Sequence, residues 1–249
     1  MIINWPMIIV LFCLSVPGVL IAIHRLVYFL LANNTEQLKK RFSRFVVFQT
    51  LFTVFIMSFA GSVLSPRTGL GDSILENLLQ GKASLNAFQS ILLPTVLYAL
   101  LGLVIFCVLY YGLVGSILDE KSFNIMSRLR SVIGLDGCVL YGGVVEEVIA
   151  RWGLMNVITF FALLFTSQIN QEIIIISIFL SGFIFAVGQI PAYIAAGYSS
   201  TRRFLYSFIT LSLWQSLLFG FLFWQYGLIS AILAHMLFHL GWDRYDKLS

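Results

Sequence analysis

Charged side chains make up only 10% of this 249-residue chain, against about 25% in an ordinary soluble domain. That scarcity excludes a fully solvated exterior. The few charges include no basic low-complexity tract, so the net charge of +4 gives no support to nucleic-acid binding. Cysteine is equally sparse. Cys13, Cys107 and Cys138 lie in apolar runs without CxxC or Cys/His spacing, which excludes a disulfide framework and a cysteine metal centre and leaves them as small interior residues. No basic segment precedes the first apolar run and no small-residue cleavage site follows it, so that run reads as an uncleaved helix and not a signal peptide.

What remains is oil. Hydrophobic residues reach 59% and mean hydropathy is +0.95. The apolar runs are long enough for spanning helices, unlike the alternating ten-residue strands of a membrane barrel. The expected fold is an all-α, polytopic transmembrane bundle with spans at residues 5–31, 45–64, 91–118, 132–166, 172–190, 204–226 and 227–242. The 35-residue run 132–166 is too long for one upright crossing; it is either one protruding helix or two pieces split near Gly153, which would make eight spans. The fifth apolar run should stop at Pro191, and the connector 67–89 has room for a short interfacial helix. With the N-terminus outside and the C-terminus inside, twelve of the 15 Lys and Arg gather at cytoplasmic ends, from Arg25 and Lys39 to Arg244 and Lys247. Only Arg67 and Lys82 fall outside, as the positive-inside rule requires. No internal repeat or soluble second domain is evident. Residues 1–131 supply the first three helices and residues 132–249 the polar-bearing core of one membrane domain.

Polar residues stand out against that background. Glu146-Glu147-Val148-Ile149-Ala150-Arg151 puts two carboxylates and a guanidinium inside a spanning run. A central charge costs about 2.5–3.5 kcal/mol on insertion scales, so such groups face a bundle interior and mark function. Glu147 and Arg151 are four apart on one helical face and form an internal ion pair, while Glu146, about 100° round the helix, is left available. The last span carries His235 and His239 at i and i+4, two of only three histidines; the third, His24, sits near an interface beside Arg25. Gln189 lies just before Pro191, and Leu218-Phe219-Gly220 offers a small residue for close helix approach.

In this order, Glu-Glu-x-x-x-Arg (Glu146 to Arg151), Phe-x-x-x-Gln (Phe185 to Gln189) and His-x-x-x-His (His235 to His239) resemble the CPBP intramembrane proteases, the CaaX-processing and bacteriocin-immunity group also called ABI or Rce1-like. The resemblance covers residues 136–242. It implies a multi-pass protein of a bacterial plasma membrane that hydrolyses a peptide bond, its partners being the lipid bilayer and a membrane-associated peptide or protein. Prenylated C-terminal peptides, bacteriocin or pheromone precursors and anchored regulatory proteins all fit as substrates. The implied site comprises Glu146 as base for water, Glu147 held by Arg151, Gln189 orienting the water, and His235 with His239 donating to the oxyanion. No cofactor is implied, the alternative being zinc on Glu146, His235 and His239. One position departs from the family pattern: Gln189 stands where the family carries histidine, and an amide cannot take up a proton as imidazole does. That departure keeps a non-catalytic adaptor or immunity role open. A proton-relaying transporter would call for inverted repeats with broken helices, which the chain does not show.

Overall fold

The computed structural model describes residues 3–82, 84–166, 168–198 and 201–247. Among these residues there is no strand; the chain is all-α. Helix α1 spans Trp5–Leu30 and α2 Glu36–Thr68, followed by the short α3, Ser73–Leu79. Helix α4 runs over Leu85–Ile117 with a π-helical turn at Val108–Val114. Helix α5 is Glu120–Gly137. Helix α6 covers residues 138–166, with π geometry at Cys138–Glu146 and Val148–Met155 before an ordinary α segment, Asn156–Thr166. Helices α7, Gln171–Ala195, α8, Arg202–Tyr226, and α9, Leu228–Asp246, complete the bundle.

Six helical stretches among the described residues are long and apolar enough to cross a membrane. They correspond to the first six expected spans. The expected seventh, α9, is a 19-residue helix whose hydropathy is lowered by His235, His239, Asp243, Arg244 and Asp246. Its inward face is nevertheless fully buried at Leu228, Ala231, Ala234 and Phe238.

Several boundaries differ from the sequence reading for identifiable reasons. The polar segment before the second span is helical from Glu36, because the Thr35 side chain accepts from the Leu38 amide and caps the helix. The connector does fold into a short helix, α3. Residues 120–133 form an amphipathic helix. The long run 132–166 does not break at Gly153. The bend falls at Gly134, whose φ of +77° suits glycine alone, and Arg25 pins it by donating to the Ile133 carbonyl at 2.6 Å and to Asp136 at 2.5 Å. Helix α7 continues through Pro191 to Ala195, although proline there removes one i→i−4 hydrogen bond.

Trp152, fully buried, donates its indole N–H to the Ser58 carbonyl at 3.2 Å and ties α6 to α2. One turn on, buried Asn156 donates to the Leu70 carbonyl at 3.1 Å and bonds the Thr68 hydroxyl. At the same end of the bundle Asp72 caps two helices at once. One carboxylate oxygen accepts from the Leu75 amide of α3 at 2.7 Å, the other from the Ile229 amide of α9 at 2.6 Å. Helix N-termini carry orphan amides and a partial positive charge, and one carboxylate satisfies both.

Removing that carboxylate should be felt in both helices. We expect Asp72→Ala to lower stability by about 1–3 kcal/mol, the sum of two lost caps, measured by thermal unfolding in detergent. Burial pushes the Asp72 carboxyl above its ordinary value, and the Ile229 and Leu75 amides pull it part of the way back. A raised folded-state value means that this contribution is complete below the ordinary carboxylate range and is lost as pH rises through the raised value. The gap between parent and Asp72→Ala should therefore narrow as pH rises through that window; a gap that widens would contradict this account.

Candidate active site

The site is built where α6, α7, α8 and α9 meet. Helix α6 supplies both glutamates from where its two π-helical segments meet, Glu146 ending the first and Glu147 standing between them. Such insertions recur at functional sites because they re-aim side chains without ending the helix. The close meeting of α6 with α9 depends on small residues. A Cβ at Gly142 would collide with Nε2 of His239, and one at Gly143 with the Met236 side chain.

Glu147 is completely buried and has two partners. Its Oε2 lies 3.3 Å from Nε of Arg151, one turn along the same helix. Its Oε1 lies 2.7 Å from Nδ1 of His235 on α9. The Arg151–Glu147 pair is therefore as the i, i+4 spacing predicts, but His235 is turned to Glu147 instead of to its neighbour. A carboxylate accepts, so Nδ1 of His235 carries a proton in this contact and Nε2 is the ring nitrogen left over. Arg151 also reaches α8, donating to the Gln215 carbonyl at 3.4 Å.

Glu146 is the unpaired acid. Its Oε1 accepts from Nε2 of Gln189 on α7 at 3.1 Å, and it lines a cavity of about 160 Å³. Gln189, His235 and His239 line the same cavity, so the structure brings together the four residues that sequence order leaves on three helices. His239 is packed in by stacking: its ring lies 4.8 Å from that of His235 at 17°, and its buried Nδ1 has no hydrogen-bond partner. On the other face of His235, Phe219 stacks at 4.1 Å and 15°, which gives the Phe-Gly stretch of α8 its place: it clamps the imidazole.

Adjoining the main cavity is a smaller space of about 20 Å³ lined by Glu146, Glu147, Arg151, Gln189 and His235. About 10–15 Å³ accommodates one water. Ser212 and Gln215 of α8 line both this space and the larger cavity. Sequence reasoning passed over them. The available signal was two polar residues at i, i+3, hence on one face of an otherwise apolar span.

The mouth of the cavity is framed by α5 and the end of α9. Arg130 lies over the Trp242 ring at 3.8 Å and pairs with Asp246 at 2.7 Å. Trp242 donates to the Tyr111 hydroxyl at 3.1 Å, and Tyr111 in turn bonds Asp246.

Among the described residues no three His, Cys, Asp or Glu side chains gather into a metal-binding cluster; His235 directs Nδ1 to Glu147, and Glu146 accepts the Gln189 amide on Oε1.

Residues 130–241, which contain Glu146, Glu147, Arg151, Gln189, His235 and His239, match a family model described as type II CAAX prenyl endopeptidase Rce1-like. No curated protein and no solved structure matches the chain.

Arg151 balances a carboxylate that has no access to solvent. We expect Arg151→Ala to destabilise the fold by about 3–5 kcal/mol, because it strands Glu147. Protein level and thermal unfolding read this out. The double variant Arg151→Met, Glu147→Gln should recover much of the loss. Normal level and unfolding of Arg151→Ala, with turnover alone reduced, would place Arg151 in the chemistry instead.

Proposed function

We propose that this chain, carrying an Rce1-like domain over residues 130–241, is an intramembrane endopeptidase that uses water activated by Glu146. The observation that carries the reading is the pairing pattern of two adjacent glutamates. Glu147 is paired with Arg151 and hydrogen-bonded to His235, whereas Glu146 has only a neutral amide and faces the cavity. A structural ion-pair network would have no use for the second acid.

In the proposed reaction, Glu146 takes a proton from water as the oxygen adds to the scissile carbonyl carbon, then passes that proton to the leaving amine as the C–N bond breaks. Gln189 holds the Glu146 carboxylate in position. The Glu147–His235 pair presents Nε2 as a hydrogen-bond acceptor beside the same water, with Glu147 fixing the tautomer. The substrate class is a peptide presented at the membrane, of which a prenylated C-terminal peptide is the first to try. In the N-out, C-in orientation favoured by the basic residues, the mouth framed by Arg130 and Trp242 opens to the cytoplasm of a bacterial cell. Water and peptide then enter from the same side.

A second reading has one observation behind it, the amide at Gln189, and makes the chain a non-catalytic adaptor or immunity protein with the same scaffold. Purified protein in detergent or liposomes, given an internally quenched peptide ending in a farnesylated CaaX sequence and a panel of quenched apolar peptides, separates the two. The protease reading expects cleavage, its loss in Glu146→Gln, and a rate in Gln189→His equal to or above the parent's. General acid–base assistance contributes about 10²–10⁴-fold, so an imidazole that shares a rate-limiting proton transfer gives a visible gain. Absence of cleavage in the parent, together with a cellular phenotype intact in a normally folded Glu146→Gln protein, would assign the non-catalytic role.

A further inference from the structure

Hydrolysis by Glu146 needs a donor for the oxygen that becomes negative when water adds, and most polar groups around Glu146 are already committed. His235 directs its Nδ1–H to Glu147 at 2.7 Å. Gln189 directs its amide nitrogen to Glu146 at 3.1 Å. Arg151 is engaged by Glu147 and by the Gln215 carbonyl. His239 lines the main cavity but not the smaller space beside Glu146. Gln215 lines both.

The turn that carries Gln215 is fixed from two directions. Arg151 of α6 donates to its backbone carbonyl at 3.4 Å, and the adjoining Ser216, buried, donates its hydroxyl to the Ile178 carbonyl of α7 at 2.9 Å. A donor held on a rigid helix and anchored to the two neighbouring helices meets the requirement for electrostatic stabilisation, which is that the dipole be in place before charge develops. A side-chain amide also suits a low-dielectric site: it offers two N–H groups and brings no charge that burial would penalise.

We propose that Gln215 is a catalytic residue of this site, its side-chain amide donating to the scissile carbonyl oxygen of the peptide while Glu146 activates water. This rests on the peptidase reading and adds a residue that the Glu-Glu-x-x-x-Arg, Phe-x-x-x-Gln and His-x-x-x-His pattern does not contain. Arg151 thereby gains a second role, since the cation that neutralises Glu147 also sets the position of the oxyanion donor through the Gln215 backbone.

The test uses the full-length protein in liposomes with the quenched farnesylated peptide, or whichever quenched peptide the parent cleaves, and resolves kcat from KM. Gln215→Met keeps the length and removes the amide. Loss of one oxyanion donor costs about 10²–10³ in kcat, so kcat should fall by that factor with KM changed less than threefold. A readout indifferent to mere structural damage is the rate ratio between the peptide and its analogue with a thioamide at the scissile bond, since sulfur accepts hydrogen bonds poorly. The parent should discriminate strongly in favour of oxygen and Gln215→Met should not. Should Gln215→Met fail to fold, Gln215→Asn, which retains the amide one methylene short, is expected to lose at least tenfold in kcat and part of the oxygen preference. A kcat within threefold of the parent in a folded Gln215 variant, or an unchanged oxygen-to-sulfur ratio, overturns the assignment. So does a comparable loss found in Ser212→Ala but not in Gln215→Met. A parent that cleaves nothing, or cleaves equally well as Glu146→Gln, removes the peptidase reading itself. Cleavage that depends on Glu146 and not on Gln215 removes only this inference.

Discussion

The rest of the structure depends on Glu147. A carboxylate at this depth would cost several kcal/mol alone, and the bundle answers by surrounding it. Arg151 comes from the same helix and His235 from α9, and Arg151 extends the contact to α8 through the Gln215 carbonyl. One buried charge therefore fixes the relative positions of three helices, a registering role that buried ionic groups are able to serve where apolar packing, being non-directional, cannot. It also determines which glutamate, among the described residues, is left without an ion pair. With Glu147 fully committed, Glu146 is the acid left to the cavity.

The backbone is shaped to suit. Glu146 and Arg151 lie in the two π-helical segments of α6, and Gly142 and Gly143 remove the side chains that would hold α9 away. The two devices work together. The wider turns aim both carboxylates inward, and the glycines let α9 come near enough for His235 to reach Glu147. At the opposite end of the bundle Asp72 acts to similar effect by different means, holding the start of α9 through the Ile229 amide. Helix α9 is thus fixed at its start and near its middle by carboxylates of other elements.

Much of this was legible in the sequence because the underlying rules are local. Helix i, i+4 geometry gave the Glu147–Arg151 pair, and the cost of unsatisfied polar groups in lipid gave the convergence of Glu146, Gln189, His235 and His239. What was not legible depended on rotation about helix axes and on backbone departures. Both glutamates were available to His235, and only the packing of α9 on Gly142 and Gly143 decides for Glu147. Of the two alternatives for residues 132–166, the split at Gly153 is not taken; the bend falls at Gly134, where Arg25 and Asp136 hold the chain around a positive φ. Ser212 and Gln215 sat in plain view but belong to no spacing pattern shared with the other polar residues; their importance comes from which cavity α8 turns them toward.

The amide at Gln189 follows the same logic of commitment. Glutamine reproduces the hydrogen bond an imidazole could give to Glu146, and the 3.1 Å contact shows it doing so, but it holds no proton in reserve. The groups able to exchange a proton at the cavity then reduce to Glu146, Nε2 of His235 and the stacked ring of His239. A single carboxylate that both takes the proton from water and returns it to the leaving amine is chemically sufficient for amide hydrolysis, provided other groups stabilise the oxyanion without proton transfer. Neutral, prepositioned amides are the groups suited to do so. An amide at Gln189 therefore need not mark a dead site; it is compatible with one in which proton transfer is concentrated on Glu146 and the remaining wall is built from dipoles.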